Sequence, residues 1–470
     1  MTRRTWARLD NASNMFLAAR SDADPKVFRM TAEMDHEVDR ELLQTALDAT
    51  FDRYPLYRAV LRRGVFWYYL QDSDLRPEVV DETQHTCAAI YQADVRTLLF
   101  RVVLHRRRIN LEVFHALSDG TGALWFLTDL VTAYVRLRFP DEPPPDRDPE
   151  RRGARIDGGP ESVGANSDGS ASDPRHELEA DSFTRYFRTK DLSEPAGRGS
   201  AERSRGLSRV VGASTEKTYT VKGTRTPDNR TRAVELTMPA ADVLALARAE
   251  GVSLTMYLTA LFFASLRAAQ EEPGDSSTLA VSVPVNLRQY FPSTSARNFF
   301  TTVRLEHTYG QGDDGLGAVC RNLDAQFRPQ TAPDALAVRV RRFIRFERMI
   351  ALRIVPRPLK DVFLGLINRA SNRGLTVAVS NLGNIRLPQP AGAHVTRMLF
   401  HVSAVRPQFC VVSHAGALTI SFTSPFSETE HIREFARRLS AEGIDVTVAA
   451  ARVTEDELTA ARSQHDEETP

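Results

Sequence analysis

The sequence predicts a two-lobed α/β (α+β) protein, with mixed sheets flanked by helices. Three observations carry that prediction. The chain has 470 residues, too many for one core, and 42% of them are hydrophobic. Two long stretches alternate strand and helix periodicities in a loosely similar order. Between them, from about 140 to 215, lies a run rich in Pro, Gly, Ser, Asp and Arg that cannot bury enough surface to offset its ordering entropy. The expected organisation is an N-terminal lobe over 1–140, a disordered insertion or linker over 141–215 and a C-terminal lobe over 216–470.

The elements follow in order. "KVFRMTAEM" reads as a strand. Next, "VDRELLQTALDATFDRYP" sets Leu42, Leu43, Ala46, Leu47 and Phe51 at helical spacing, with Asp39 as N-cap. "YRAVLRRGVFWYYL" reads as two strands, "RTLLFRVVLHRRRINLEVFHA" as a longer hairpin and "GTGALWFLTDLVTAYVRLRF" as a helix. Within the insertion, "DSFTRYF" at 181–187 is an aromatic island. Order resumes with the strand "RAVELTM" and the helix "PAADVLALARAE". "SLTMYLTALFFASLRAAQ" is a helix apolar nearly all round, hence buried, and capped by Ser253. "TLAVSVPVNL" and "NFFTTVRLEH" are strands, 315–370 is mainly helical, and "LTVAVSNLG" is a buried strand ending in a turn. A further strand, a hairpin turning at His414-Ala415-Gly416 and an amphipathic helix, "SETEHIREFARRLSAEG", complete the chain.

Composition excludes several functions. Lys and Arg number 61 and Asp and Glu 60, so no dominant field points to nucleic acid. The bases are nearly all arginine, since lysine occurs only at 26, 190, 217, 222 and 360. Cys87, Cys320 and Cys410 are far apart, with neither metal spacing nor a disulfide framework, so no metal is expected. No run approaches the roughly 20 apolar residues of a membrane span. The expectation is a cytoplasmic protein.

Candidate chemistry centres on "FHALSDG". Ile109, Leu111, Val113 and His115 share one strand parity, so the imidazole points with the apolar residues. Desolvation there keeps the ring neutral, as a general base requires. Ser118-Asp119-Gly120 is turn chemistry, with glycine free to take positive φ. Taken alone, so short a string fits a satisfied core histidine better than a catalytic base.

The rest of the chain shifts that balance. The sequence resembles the chloramphenicol-acetyltransferase-like superfamily, whose shared motif is HxxxDG, here "HALSDG" at 115–120. It is most similar to bacterial alcohol-acetyltransferase-like proteins. "WARLDNASNMF", "ELLQTALDATFDRYPLYRAVLRRGVFWYYL", "VPVNLRQYFPSTSARNFF" and "TVAVSNLGNIRLP" match their segments in their order. The plant members' DFGWG motif is absent. The resemblance implies two lobes with an active-site channel between them. It also implies acyl transfer from acyl-coenzyme A, as co-substrate rather than resident cofactor, to an alcohol or lipid-like acceptor.

In that scheme His115 and Asp119 are the catalytic pair, His115 as base and Asp119 orienting the loop through Arg288, with Gly120 shaping the turn. Asn298, Ser380 and Asn381 would line the channel. Two of these have a plainer alternative: Arg288 as an exposed strand-end residue, and Asn381 as the opening of a turn rather than an oxyanion donor. The basic, apolar run at 338–360 is either a surface helix or a contact for coenzyme A phosphates or a membrane surface. A carrier-protein thioester, an amine acceptor, or a non-catalytic binding role on the same fold are the competing functions.

Overall fold

The structure is a computed structural model that describes residues 6–9, 11–93, 95–142, 155–157, 218–226, 230–270, 276–291, 293–347, 359, 362, 365–366 and 372–450. The first half contains β1 (Trp6–Arg8), α1 (Asn11–Ala19), β2 (Val27–Met34), α2 (Arg40–Asp52), β3 (Ala59–Arg63), β4 (Tyr68–Asp72), β5 (Val79–Asp81), β6 (Phe100–His105), β7 (Arg108–Phe114) and α3 (Gly120–Arg138). After β8 (Arg155–Asp157), the second half contains β9 (Arg232–Pro239), α4 (Ala240–Ala249), α5 (Leu254–Ala268), β10 (Ser277–Asn286), β11 (Phe300–Tyr309), α6 (Leu316–Thr331) and α7 (Pro333–Glu347). It ends with β12 (Val377–Arg386), α8 (Ala391–His394), β13 (Val395–Val402), β14 (Gln408–His414), β15 (Ala417–Ser424), α9 (Glu430–Ala441) and β16 (Thr447–Ala450).

The helices begin where sequence chemistry places them. Asp39 accepts hydrogen bonds from the N–H groups of Glu41 and Leu42, capping α2. Ser253 accepts from Met256 N–H and starts α5, most of which is buried. In α9, Ile432, Phe435 and Leu439 recur at helical spacing and dock on the second core. The β14–β15 hairpin turns at Ala415 and Gly416, both at positive φ. No single helix among the described residues is long and apolar enough to cross a membrane.

Three sheets organise the chain. One runs β13-β2-β7-β6-β5, a second runs β11-β10-β12-β14-β15-β9-β16 with β8 on β12, and a small third runs β1-β4-β3. The division at residue 216 needs correction. β13 lies in the second half of the chain yet pairs antiparallel with β2, from Val402 against Phe28 to Val395 against Met34. β12 begins in the second core with Val377 and Val379 and ends in the first with Leu382 and Ile385. β14 faces both cores, Phe409 and Val411 on one side and Cys410 and Val412 on the other. The C-terminal half therefore builds the wall between the lobes and supplies one strand of the N-terminal sheet.

β12 also corrects the expected turn after "SNLG". Asn381 Oδ1 accepts from Gly383 N–H at 2.7 Å, and Gly383 takes φ +74. The result is a bulge, after which Asn384 re-pairs with Ser413 and the strand continues to Arg386. Most of the 141–215 insertion, including "DSFTRYF", lies outside the described residues. Within it, β8 pairs antiparallel with β12, Ile156 opposite Ile385. Strand addition draws on backbone groups and needs no apolar run, so composition gave no sign of it.

Candidate active site

β7 delivers His115 to the site. The hydrogen bond from Leu117 N–H to Phe114 C=O closes a tight turn around it. Both of its peptide groups are fixed: the N–H donates to Lys26 C=O at 2.8 Å, and the C=O accepts from Asn298 Nδ2 at 2.7 Å. The ring stacks on Phe16 of α1, with centroids 3.9 Å apart and planes 13° apart. Phe28 meets it edge-on at 5.0 Å, and Phe300 lies tilted at 5.7 Å. Nδ1 is buried without a hydrogen-bond partner. Burial in this aromatic setting lowers the imidazole pKa to about 4, against the opposing pull of the Asp119 charge. The ring is therefore neutral at pH 7.

Asp119 makes no hydrogen bond to the ring; its carboxylate is committed elsewhere. Oδ1 accepts from Gly122 N–H at 3.0 Å and caps α3. Oδ2 accepts from Arg288 Nη1 at 2.7 Å and from Phe299 N–H at 2.8 Å. Both side chains of this ion pair are buried, 7% and 6% exposed. The pair is single rather than forked, because the other carboxylate oxygen is already the helix cap. Arg288 turns its remaining N–H groups to the carbonyls of Ser295 and Arg297. Its guanidinium also lies 5.5 Å from the Trp125 ring centroid. Arg288 is thus not an exposed strand-end residue; it ties the 295–299 segment of the second half to the HxxxDG turn.

Glycine serves close approach here rather than positive φ. Gly120 is not among the residues at positive φ. A Cβ there would come 3.0 Å from Leu382 Cδ2. At Gly122 a Cβ would stand 2.2 Å from Ala296 C=O and 2.4 Å from Ser118 Oγ, which itself donates to that carbonyl at 2.6 Å. Gly122 is the stricter position, and the sequence reading did not single it out.

The other candidates divide. Asn298 is buried at the site, clamping the His115 carbonyl and donating to Ser13 Oγ at 2.9 Å, with its Oδ1 unpartnered. Asn381 donates to Thr255 Oγ1 at 2.9 Å and organises the β12 bulge, so its amide is engaged as a turn residue rather than as a free donor. Ser380 precedes it on β12, half-buried and opposite Cys410 of β14. The basic run starts as α7, which docks Leu336, Val340 and Ile344 in the second core; most of 348–360 lies outside the described residues. Ser13, Phe16 and Phe300 complete the surroundings of His115. Their only sequence signal was their place in "NASNMF" and "ARNFF".

No protein-family model and no curated protein matches the sequence. Solved structures do match. Trichothecene 15-O-acetyltransferase (TRI3) from Fusarium sporotrichioides is 12% identical, with a TM-score of 0.58 over 94% of this chain and 95% of that one. TRI101 of F. sporotrichioides, solved with coenzyme A and T-2, is 9% identical, with a TM-score of 0.56 over 95% of this chain and 99% of that one. The first condensation domain of the CDA synthetase is 15% identical, with a TM-score of 0.54 over 93% and 95%. A mixed α/β chain on this strand plan, matched over nearly its full length by an acetyltransferase, a coenzyme A-bound protein and a condensation domain alike, has the two-lobed chloramphenicol-acetyltransferase-like fold.

Proposed function

We propose that the protein is an O-acyltransferase that moves an acyl group from an acyl-coenzyme A thioester to an alcohol, with His115 as general base. The observation that carries this reading is the state of His115. It is a neutral imidazole on a doubly hydrogen-bonded backbone, in a turn held by a buried ion pair. Burial also holds His431 neutral with an unpartnered ring nitrogen, so it is the fixed placement of His115, at the end of β7 in the HxxxDG turn, that supports a base. The donor and acceptor classes are carried over from the fold neighbours, one an O-acetyltransferase and one solved with coenzyme A.

In the proposed step His115 accepts the proton of the acceptor hydroxyl while its oxygen attacks the thioester carbonyl. The tetrahedral oxyanion collapses with cleavage of the C–S bond. The imidazolium returns the proton to the departing thiolate, giving an ester and free coenzyme A. Asp119, Gly120 and Arg288 position the base and touch no reacting atom. Ser380 lines the substrate channel in this reading, and Asn298 holds the His115 carbonyl from behind the ring. Acyl-coenzyme A enters as co-substrate.

The test is incubation of the full chain with a panel of acyl-coenzyme A esters, following thiol release with and without candidate alcohols. Acceptor-dependent thiol release and an ester product are expected. Condensation-domain neighbours give the second reading its support. Turnover with a carrier-protein thioester or an amine, and none with coenzyme A esters and alcohols, would establish it instead. Binding of acyl-coenzyme A with no turnover toward any acceptor would mark a binding protein.

A further inference from the structure

At the far end of β2 from His115, three side chains converge that the acyl-transfer reading does not use. Asp35 and His36 follow β2, and His394 immediately precedes β13; Asp35 N–H donates to His394 C=O at 2.9 Å. Asp35 Oδ1 lies 2.5 Å from His36 Nδ1, and its Oδ2 lies 3.1 Å from His394 Nδ1. One ligand atom from each of the three residues falls within 4.8 Å of the other two. β2 spans eight residues, which places the cluster roughly 26 Å from the His115 end of the strand.

The outer nitrogens are also committed. His36 Nε2 meets the Tyr134 hydroxyl at 3.1 Å, and that hydroxyl accepts from Asp39 N–H. His394 Nε2 meets Glu142 Oε1 at 3.0 Å, and the ring stacks on Phe139 at 4.1 Å. Both rings therefore turn Nδ1 toward one carboxylate while a polar partner holds Nε2. At these distances each Nδ1 shares a proton with Asp35; an ion taking the place of that proton leaves Nε2–H to donate to the Tyr134 hydroxyl and to Glu142, the arrangement of metal-bound histidines. Ring placement agrees. Two imidazoles on one tetrahedral zinc, at Zn–N of about 2.0–2.1 Å, have centroids roughly 5 Å apart. Those of His36 and His394 are 5.8 Å apart and nearly perpendicular.

We propose that Asp35, His36 and His394 form a binding site for a divalent transition-metal ion, Zn²⁺, with His36 Nδ1, His394 Nδ1 and the Asp35 carboxylate as ligands. Two imidazoles and a carboxylate suit Zn²⁺ rather than Mg²⁺ or Ca²⁺, which select all-oxygen sites. Asp35 and His394 are 359 positions apart in sequence. The ion fastens β13 to β2, with the C-terminal end of α3 as its outer shell. It is a clamp on the crossover strand, independent of the acyl-transfer reading.

The tag-free full-length chain, dialysed against a chelator, is titrated with Zn²⁺ by calorimetry, and its melting is followed with and without the ion. One equivalent is expected to bind and to raise the melting temperature. Co²⁺ substitution of the wild-type chain is expected to give the visible bands of a tetrahedral N/O site. His36→Gln and His394→Gln should each weaken Zn²⁺ affinity more than about 100-fold, and Glu142→Ala about 10- to 100-fold. His105→Ala, a half-exposed histidine outside the cluster, should change nothing. Affinity should fall in acid, because protons compete with the ion for the ligand atoms. Absence of stoichiometric Zn²⁺ and Co²⁺ uptake by the folded wild-type chain would overturn the proposal. So would equal uptake by folded His36→Gln and His394→Gln variants. If those variants do not fold, the Co²⁺ spectrum of the wild type decides.

Discussion

Replacing Asp119 by asparagine removes one charge and one acceptor without changing shape. The carboxylate receives N–H groups on both oxygens, Gly122 on one and Arg288 with Phe299 on the other. An amide has only one acceptor oxygen. In either orientation its NH₂ faces a backbone N–H: Gly122 if the oxygen stays with Arg288, Phe299 if it turns away. Hydrogen bonds to a charged group contribute about 1.5–3 kcal/mol each, and breaking a buried ion pair costs about 3–5 kcal/mol. Arg288 keeps its contacts to Ser295 and Arg297, so the lower end applies, about 3 kcal/mol. That corresponds to a melting temperature lower by roughly 6–12 °C, with a chain of this length toward the smaller figure. Turnover should fall about 10²-fold if the turn moves His115 by about 1 Å. The assay is a double-mutant cycle of Asp119→Asn and Arg288→Met on melting and on kcat. A coupling of about 1.5 kcal/mol or more is expected, and additivity within about 0.5 kcal/mol would refute the shared-unit account.

Gly122→Ala should lower the melting temperature and turnover more than Gly120→Ala. Its new methyl meets a backbone carbonyl, whereas that of Gly120 meets the tip of a leucine; overpacking of this kind costs about 1–3 kcal/mol, and equal effects in parallel melts would contradict the steric argument. Asn298→Ala should reduce kcat with KM little changed, since it releases the His115 carbonyl; a fall in binding alone, seen in steady-state kinetics, would assign Asn298 to substrate contact instead. Burial holds His115 and His431 near pKa 4 in the folded chain, against 6.5 unfolded. The unfolded state binds more protons between those values, so both residues make stability fall as pH drops from about 6.5 to 4 and leave it unchanged above. Acid melts of His431→Gln should show a shallower decline than wild type; an identical slope would mean that His431 is not buried in its neutral form.

Local pattern carried much of the fold. Caps such as Asp39 and Ser253, the Ala415-Gly416 hairpin turn and the spacing in α9 are written in neighbouring residues, and the structure follows them. His115 was visible for the same reason, at the end of an alternating strand. Arg288 became visible only through motif order, because nothing near it in sequence says that Asp119 is its partner. Other features depend on tertiary approach. Phe16 stacks on His115 from an N-terminal helix that local periodicity did not mark. Gly122 is demanded by the Ala296 carbonyl, which the second half of the chain brings in. β13 reads as any amphipathic strand, and alternation does not say which sheet it joins. The bulge at Asn381 and Gly383 reads locally as a turn; only pairing with β14 carries the strand through it.

Turnover of His115→Ala shows whether His115 is the base of an acyl transfer. The acyl-coenzyme A and acceptor pair that gives the highest wild-type rate serves as the substrate. The variant removes the imidazole but leaves the backbone bonds from residue 115 to Lys26 and Asn298 in place. It should therefore melt cooperatively as a folded protein while kcat falls about 10²- to 10⁴-fold, the usual contribution of a general base. A folded variant that retains near-wild-type kcat would contradict the account.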